Sequence, residues 1–373
     1  MRRYGTAVVL ICVLILTVAG CAATPSTVSH AQRDLVIEVE PWPEATRLFR
    51  NDARWLGGDG ASSVDLGNER VLWLFGDSFV GRGDSRNRFD AAVIRNSIAL
   101  QQGYDPSSAT IDFYWDERGD EPRSFFPGKG NGWVWPGCGI RIGKVVLLFF
   151  MEIEESGGEF GFEPRGWKAA LIDNPDDEPS RWSIGWLEAP QNDFNVIVGS
   201  GGVVKTGDYL YVFGTDSKRY DVYPLRWNLA SAMGGDLSDP QWWVEEHRAW
   251  ISQAVLERSP SPAFSKGQVE CTVHYEPSLR RFLQIQTGAL YEPDMLCRWA
   301  PSVTGPWTEP RSFHRPREFY TPGLLIYAGK AHPALAGGDV VLTYNVNSLE
   351  SAQVLRDQDI YYPLFLRGRI VPQ

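Results

Sequence analysis

The stretch from Gly57 to Val80, GGDGASSVDLGNERVLWLFGDSFV, predicts a β-hairpin with an aspartate at each open end. Residues 67–69 form the expected turn, and a pairing centred on Asn68 places Asp59 opposite Asp77. Two carboxylates side by side at the rim of a sheet are costly, because like charges repel each other. Acid/base catalysis uses such an arrangement, so this hairpin indicates a functional site as well as a fold.

The hairpin recurs in looser form along the chain. Each later copy has a short strand rich in small residues, a turn with glycine or polar residues, and an apolar second strand. The second strands are expected at residues 71–77, 145–152, 209–216, 282–287 and 340–345. The later first strands are expected at residues 137–140, 201–204, 269–272 and 332–335. Third strands are expected at residues 96–100, 167–171 and 296–299.

Five repeated units with almost no helical periodicity predict an all-β protein folded as a five-bladed β-propeller. The small residues fit this fold, because the innermost strands of a propeller crowd the central axis. Closure of the ring would also leave no long exposed sheet edge. A decorated β-sandwich would explain the strands but not their repeated order. We therefore expect residues 46–373 to form one propeller domain.

The N-terminus has the pattern of a lipoprotein signal peptide over residues 1–20. A basic start precedes an apolar run at residues 7–18, which is short for a membrane span of about 20 residues. Small residues then precede Cys21, which we expect to be lipidated, with residues 21–45 as lipidated N-terminus and tether. An ordinary signal peptide with an incidental cysteine is the alternative. No aspartate follows Cys21 to retain the protein at the inner membrane, so we expect an exported protein anchored at the outer membrane or cell surface.

The formal net charge is −10 and no run of Lys and Arg occurs, which argues against nucleic acid and anionic membrane surfaces as partners. We expect a monomer that meets the membrane through its lipid anchor only. Cys138, Cys271 and Cys297 show no CxxC spacing, so neither a disulfide framework nor a zinc site is predicted. No cofactor and no metal are expected. The many aromatic residues indicate core and sheet packing first, and some could also bind carbohydrate.

In a propeller, the first residues of the innermost strands and the last residues of the second strands surround one mouth of the central channel. This topology would bring together polar residues from all five repeats. The sequence therefore predicts a polar pocket suited to a polyhydroxylated ligand. The expected catalytic residues are Asp59, Asp77 and Glu270, and the expected substrate-binding residues are Arg95, Asn96, Trp135, Asp216, Tyr223, Lys330, His332, Asn345 and Asn347.

Two separated carboxylates, one acid and one base or nucleophile, are the minimum for glycoside cleavage. Asp59 and Glu270 are the preferred pair, because both open innermost strands. We expect protonated Glu270 to donate to the leaving oxygen, and Asp59 to activate water or attack the anomeric carbon. Asp77 would orient the surroundings of Asp59 or raise the pKa of a partner. Arg95 would offset the local negative charge.

Most of these residues also have a purely structural interpretation. An aspartate that directly follows a strand, such as Asp77, often caps a turn, and the same could hold for Asp59. His332 could be a hydrogen-bonded histidine on the axis, and Asp216 could be structural. Glu270 lies in a strand context where a charge is otherwise unfavourable, which favours a functional interpretation.

Five short segments also carry a family likeness: 55–60 (WLGGDG), 74–79 (LFGDSF), 95–97 (RNS), 330–333 (KAHP) and 344–348 (YNVNS). They resemble a bacterial family of secreted five-bladed propellers, long described only as a domain of unknown function. Members of that family are endo-D-arabinofuranosidases (endo-D-arabinanases) acting on mycobacterial-type arabinan. The likeness covers residues 50–367, and residues 302–307 (SVTGPW) are similar to a blade-end motif of five-bladed glycosidases, including arabinanases and invertase-like enzymes.

The resemblance implies a propeller fold and places Asp59 and Asp77 in the blade-one motif. Glu270 as the acid follows the wider superfamily, in which an acidic partner comes from a later blade. The leading hypothesis is a surface-anchored glycoside hydrolase that cleaves a furanose-containing, arabinan-like polysaccharide. A carbohydrate-binding lipoprotein without turnover and a propeller scaffold that binds protein are the alternatives.

Overall fold

The computed structural model describes residues 35–83, 86–157, 161–188, 190–289 and 292–372. The predicted signal peptide and the lipidation site Cys21 lie outside the described residues. In the described part of the chain, no helix has both the length and the apolar character needed to cross a membrane.

The first elements are strand β1 (Leu35–Pro41), helix α1 (Pro43–Thr46) and a 3-10 helix (Arg47–Arg50). Residues 35–45 were expected to belong to the tether. They are instead part of the folded domain, because β1 pairs along its whole length with the last strand of the chain. The next strands are β2 (Trp55–Gly58), β3 (Ser62–Gly67), β4 (Arg70–Phe75), β5 (Ser78–Gly81), β6 (Ala91–Ile94, after a 3-10 helix at Arg88–Asp90), β7 (Ser97–Gln102), β8 (Thr110–Tyr114), β9 (Asp116–Arg118) and β10 (Glu121–Arg123).

Longer strands dominate the middle of the chain. They are β11 (Trp133–Ile142), β12 (Val145–Glu155), β13 (Phe162–Ile172), β14 (Ile184–Leu187), β15 (Val196–Thr206), β16 (Tyr209–Asp216), β17 (Val222–Asn228), β18 (Gln241–Val244) and β19 (Ala249–Ser252). Helix α2 (Leu229–Met233) follows β17. Short 3-10 helices lie at Pro179–Arg181, Glu245–His247 and Gln253–Val255.

The last third contains seven strands and one helix. They are β20 (Thr272–Glu276), β21 (Arg281–Thr287), β22 (Met295–Ala300), β23 (Arg311–His314), β24 (Leu324–Ala331), β25 (Val340–Ser348), α3 (Ser351–Arg356) and β26 (Pro363–Pro372). A further 3-10 helix at Arg317–Tyr320 precedes β24.

The described strands form five antiparallel sheets of four or five strands, here called sheets one to five in chain order. They are β3-β4-β7-β8, β11-β12-β13-β14, β15-β16-β17-β18-β19, β20-β21-β22-β23 and β24-β25-β26-β1. Two smaller sheets, β2-β5-β6 and β9-β10, accompany sheet one. The all-β prediction is confirmed.

The opening hairpin has the predicted register. Ser63 of β3 pairs with Trp73 of β4, so the pairing is centred on Asn68. Asn68 and the residue after it have positive φ angles of 53° and 58°, as tight hairpin turns require. The backbone N–H of Asp59 donates to the carbonyl of Asp77 at 3.3 Å, so the two aspartates lie opposite each other at the open end.

Two first strands differ from the prediction. In sheet four, β20 begins only at Thr272, so Glu270 lies in the segment just before the strand. In sheet five, the first strand is β24, which ends at Ala331, so His332 follows this strand instead of opening it. Proline cannot donate to a strand ladder, and Pro333 directly after His332 is consistent with this end of the strand.

An apolar cluster fills each space between successive sheets. The four clusters between sheets one and two, two and three, three and four, and four and five contain residues from both flanking sheets. A fifth cluster joins sheet five to sheet one and includes Trp73 and Phe365. Side chains alternate across the strands, so Leu72 and Leu74 face sheet two while Trp73 faces sheet five.

Candidate active site

A cavity of about 450 Å³ opens where first strands begin and second strands end. Its lining residues come from sheets two and five and from loops beside sheets one, four and five. Two of the predicted catalytic carboxylates stand on the opening hairpin, and the third comes from the segment before β20. The polar lining residues are Asp59, Asp77, Glu270, Tyr327, Asn347, Ser348 and Tyr361.

Asp59 is the most strongly perturbed of the three carboxylates. The hydroxyl of Tyr327 donates to its Oδ2 at 2.8 Å, and the hydroxyl of Tyr361 donates to the same oxygen at 3.3 Å. Burial, and after it the negative charges of Glu270 and Asp77, raise the pKa of Asp59 from 3.8 to about 8. The hydrogen bond from Tyr327 opposes this increase. Asp59 is therefore protonated at neutral pH.

Asp77 is held by two donors from neighbouring elements. The indole Nε1 of Trp135 donates to its Oδ1 at 2.7 Å, and Nη1 of Arg95 donates to its Oδ2 at 3.0 Å. Burial raises the pKa of Asp77, while Arg95 and Trp135 oppose this increase. The Arg95 guanidinium also lies 4.2 Å from the ring centre of Trp133, which fixes it beside the carboxylate.

Glu270 forms an ion pair with a buried lysine. Nζ of Lys330 lies 3.2 Å from its Oε1, and the Lys330 side chain is only 3% exposed. The same ammonium donates to the carbonyl of Gly60, which lies directly after Asp59. The site therefore brings a buried carboxyl group, Asp59, and a lysine-paired one, Glu270, to the same cavity.

Two functional candidates, Tyr327 and Tyr361, were missed from the sequence. Tyr327 lies in β24, within a segment that was not expected to be a strand. Tyr361 has a positive φ of 64°, and no local pattern marks it. Close backbone packing places it, because a Cβ on Gly57 (φ 125°) would clash with the carbonyl of Tyr361.

Glycine is also required beside Asp59. A Cβ on Gly76 would lie 2.5 Å from Oδ1 of Asp59. Any larger residue at this position would therefore displace the carboxyl group. The Gly-Asp sequence at the end of β4 thus makes room for one aspartate and supplies the other.

Several predicted binding residues lie near the cavity without facing it. His332 is 1% exposed, and its two ring nitrogens are hydrogen-bonded to Ser63 and Thr343 at 2.8 Å each. Burial lowers the pKa of His332 to about 3. Asn345 is fully buried and donates to the carbonyl of Gly58 at 3.3 Å. Contact of either side chain with a ligand would require these groups to move.

Asn96 is likewise fully buried. Its amide donates to the carbonyls of Phe126 and Val134 at 2.9 Å each and accepts from the N–H of Phe126 at 2.7 Å. These bonds occupy the side chain, so it orders the segment that leads into β11. By contrast, Asn347 lines the cavity and donates to the hydroxyl of Tyr327 at 3.4 Å.

Asp216 and Tyr223 form a separate cluster in sheet three. Asp216 is 2% exposed. Although burial opposes ionisation, the N–H groups of Lys218 and Arg219 and the Arg219 guanidinium hold the pKa of Asp216 below its usual value. Arg219 also donates to the hydroxyl of Tyr223 at 3.2 Å. This cluster caps the end of β16 and does not line the 450 Å³ cavity.

A second cavity of about 720 Å³ adjoins the first. The two share Val269, Glu270 and Tyr327 as lining residues. The carboxylate of Glu270 therefore lies between two spaces, each large enough for a small ligand. In the part of the chain that the structure describes, no group of three His, Cys, Asp or Glu side chains is placed to hold a metal ion.

The overall structure is similar to several solved structures. A candidate hydrolase from Bacteroides ovatus ATCC 8483 matches with a TM-score of 0.70 at 17% identity, over 92% of this chain and 97% of that one. The catalytic domain of the GH62 α-L-arabinofuranosidase of Coprinopsis cinerea matches with a TM-score of 0.46 at 11% identity, over 90% and 96%. An exo-β-1,3-galactanase from Clostridium thermocellum gives 0.46 at 10% identity, over 84% and 61%. The first likeness indicates a shared fold only.

Comparison with curated proteins gave no match. The arabinofuranosidase activity implied by the sequence resemblance therefore stays a prediction. The family described as Domain of unknown function (DUF5005) matches residues 44–369, which is most of the chain, and the protein belongs to this family.

Proposed function

We propose that this protein is a glycoside hydrolase that uses Asp59 and Glu270 as its acid/base pair. One observation carries the proposal: a carboxylic acid with a pKa of about 8 and a lysine-paired carboxylate line the same cavity. A carboxyl group whose surroundings raise its pKa, beside a second carboxylate, is characteristic of acid/base sites. Glycoside cleavage uses such a pair and needs no cofactor.

We propose roles for the two carboxylates that are the reverse of those expected from the sequence. Asp59 is the proton donor, because burial and the neighbouring negative charges keep it protonated at neutral pH. Asp59 gives its proton to the leaving glycosidic oxygen as the bond to the anomeric carbon breaks. Glu270 either takes a proton from the attacking water or attacks the anomeric carbon itself, and the separation of the carboxyl groups decides between these routes.

Tyr327 and Asp77 support this assignment through their effects on Asp59. The Tyr327 hydroxyl holds Oδ2 in place, which leaves the other carboxyl oxygen to carry the transferable proton. The charge of Asp77 helps to keep that proton bound. Arg95 and Trp135 fix the position of Asp77.

We further propose that the five sheets are the blades of a closed five-bladed β-propeller. The support is the run of five inter-sheet clusters, of which the last joins sheet five to sheet one. A hydrogen bond of 2.8 Å between Ser63 and His332 links the first strands of the same two regions. A crystal structure in which sheets five and one were separated would contradict this arrangement.

For the substrate, we propose a furanose-containing, arabinan-like polysaccharide, on the strength of the five family-like segments. The test is release of reducing sugar from arabinan and other cell-wall glycans over pH 4 to 10. We expect activity to fall as the pH rises through about 8, because Asp59 then loses its proton. In Asp77→Asn, the loss of a neighbouring negative charge lowers the pKa of Asp59, so the decline should move to lower pH.

No sugar release from any glycan would reject the enzyme proposal. Binding that persisted without release would then favour a carbohydrate-binding protein, and absence of binding would favour a protein-binding scaffold. Glu257→Gln, which removes an exposed carboxylate that lines neither cavity, is the matched control. Its pH profile should coincide with that of the wild type.

We propose that the protein is exported and anchored in the cell envelope through lipid on Cys21, as a monomer. The support is the sequence of residues 1–21, in which an apolar run and small residues precede the cysteine. We expect Cys21→Ala to move the protein from the membrane fraction to the soluble fraction of the producing cell. Mass spectrometry of the N-terminal peptide is the direct measurement, and an unmodified Cys21 in the wild type would contradict the anchor.

A further inference from the structure

One wall of the active-site cavity is apolar and belongs mainly to sheet two. Met151 and Ile153 lie on the same face of β12, since side chains alternate along a strand. Trp135 pairs with Met151, and Pro164 pairs with Ile153. Phe162 contacts Trp135 edge to face at 4.8 Å. Together these residues form a continuous surface that borders the carboxylates, called here the apolar wall.

Leucines from sheet five face the same cavity. Leu325 lies in β24 and pairs with Asn347 of β25, and Leu349 follows the end of that strand. Leu349 is 59% exposed, so a large aliphatic side chain stands in water at the rim. A ligand that covered it would gain the free energy of removing that apolar surface from water.

Of the polar groups that line the cavity, Tyr327 and Tyr361 are hydrogen-bonded to Asp59. Sugar hydroxyls placed against the apolar wall would lose hydrogen bonds to water without replacement, which is unfavourable. The adjoining 720 Å³ cavity is more polar, since Arg219, Lys266, Gln268, Gln286 and Glu292 line it beside its apolar residues. The two sides of Glu270 therefore suit chemically different halves of a substrate.

We propose that the substrate is a glycoside whose aglycone or acyl substituent is an apolar chain, bound along the apolar wall, with the sugar residues on the polar side of Glu270. This inference rests on the proposed glycosidase function and adds the chemical class of the group beside the scissile bond. The volume of about 450 Å³ fits a medium-length alkyl chain. The apolar wall thus determines which glycosides are bound productively.

Binding of a series of alkyl 1-thio-α-arabinofuranosides tests the proposal without turnover, because the sulfur-linked compounds are not hydrolysed readily. Dissociation constants of the methyl, butyl, hexyl and octyl compounds would be measured by calorimetry below their micelle concentrations. Full burial strengthens binding by about fourfold per methylene. We expect octyl to bind at least about 100-fold more tightly than methyl, at one site per protein molecule.

Variants of the two sheet-five leucines test whether the alkyl chain lies in this cavity, between them and the apolar wall. Leu349→Asp and Leu325→Ser should weaken octyl binding by about tenfold or more and leave methyl binding within about twofold. Val255→Asp is the matched control, since Val255 is 69% exposed and lines neither cavity. It should change neither compound's affinity.

Three results would overturn the proposal. Methyl and octyl compounds could bind equally, in which case the apolar wall contacts sugar rings. The dependence of affinity on alkyl length could survive both leucine variants, or Val255→Asp could reduce it equally. Either result would show that the alkyl chain binds elsewhere. Failure of the glycosidase proposal would look different: sugar release would be absent while the length dependence and its loss in Leu349→Asp remained.

Discussion

Replacing Asp59 with asparagine is expected to lower glycan hydrolysis by about 10³-fold, within the range seen when a general acid is removed, and to make the fold more stable at alkaline pH. Asparagine has nearly the same shape as aspartic acid but carries no transferable proton. It should therefore keep the hydrogen bond from Tyr327 while ending proton donation to the leaving group. Substrate affinity should change much less than kcat.

The stability effect follows from the raised pKa of Asp59. Folding favours the protonated form, so this contribution is complete below the ordinary pKa of 3.8 and is lost as the pH rises through about 8. At pH 9 the wild type must bury a charge that the variant lacks. At 1.36 kcal/mol per pH unit the difference is at most about 6 kcal/mol, and we expect about 2–3 kcal/mol after relaxation of the site.

Thermal unfolding at pH 5 and pH 9 measures this difference. Asp59→Asn should have the higher Tm at pH 9 and a much smaller advantage at pH 5. Glu270→Gln should also be inactive, but because it keeps the Asp59 carboxyl group it should not show the higher Tm at pH 9 that Asp59→Asn shows. Glu257→Gln should behave as the wild type. Parallel decline of Asp59→Asn and the wild type toward pH 9 would show that Asp59 is not buried as a neutral acid.

Loss of Arg88 is expected to destabilise the fold by about 3–5 kcal/mol. Arg88 is 1% exposed, and its guanidinium donates to the carbonyls of Leu56, Val354, Asp357 and Ile360 at 2.7–2.8 Å. Arg88→Met would leave four carbonyls without these partners. A buried carbonyl that loses a charged donor lowers the free energy of unfolding. The segment that contains Asp357 and Ile360 also leads to Tyr361, which donates to Asp59.

Chemical unfolding and kinetics test this prediction together. Arg88→Lys keeps the charge without the guanidinium's planar set of donors, so it should fall between the wild type and Arg88→Met in stability. Arg86→Met, which changes an exposed arginine nearby, is the control and should stay within about 0.5 kcal/mol of the wild type. A loss below about 1 kcal/mol for Arg88→Met would mean that water replaces the guanidinium at these carbonyls.

The sequence was sufficient for the features that depend on local periodicity. The hairpin register follows from alternating apolar residues around a short turn, and it correctly placed Asp59 opposite Asp77. The second strands were also predicted well, because they are long apolar runs bounded by turn residues. The first strand of sheet five was placed too late, since the segment that contains Tyr327 has a mixed pattern and the small residues after it resembled the other first strands.

The chemistry of the site was less predictable. Which carboxylate holds a proton depends on burial and on the charges around it, and these arise only when distant segments meet. Glu270 and Lys330 are 60 residues apart, and Tyr361 reaches Asp59 across 302 residues. Sequence alone identified the acidic residues but not the burial that raises the pKa of Asp59 to about 8.

The pairing of β1 with β26 makes the earliest described strand dependent on the latest one. Leu35 pairs with Pro372, so β1 has no partner in its sheet until almost the whole chain has been synthesised. During that time its edge is open to other strands, and contacts so distant in sequence form slowly. In the folded protein the same pairing secures the described strand nearest the expected anchor, because it joins residues 35–41 to residues 366–372 in one sheet.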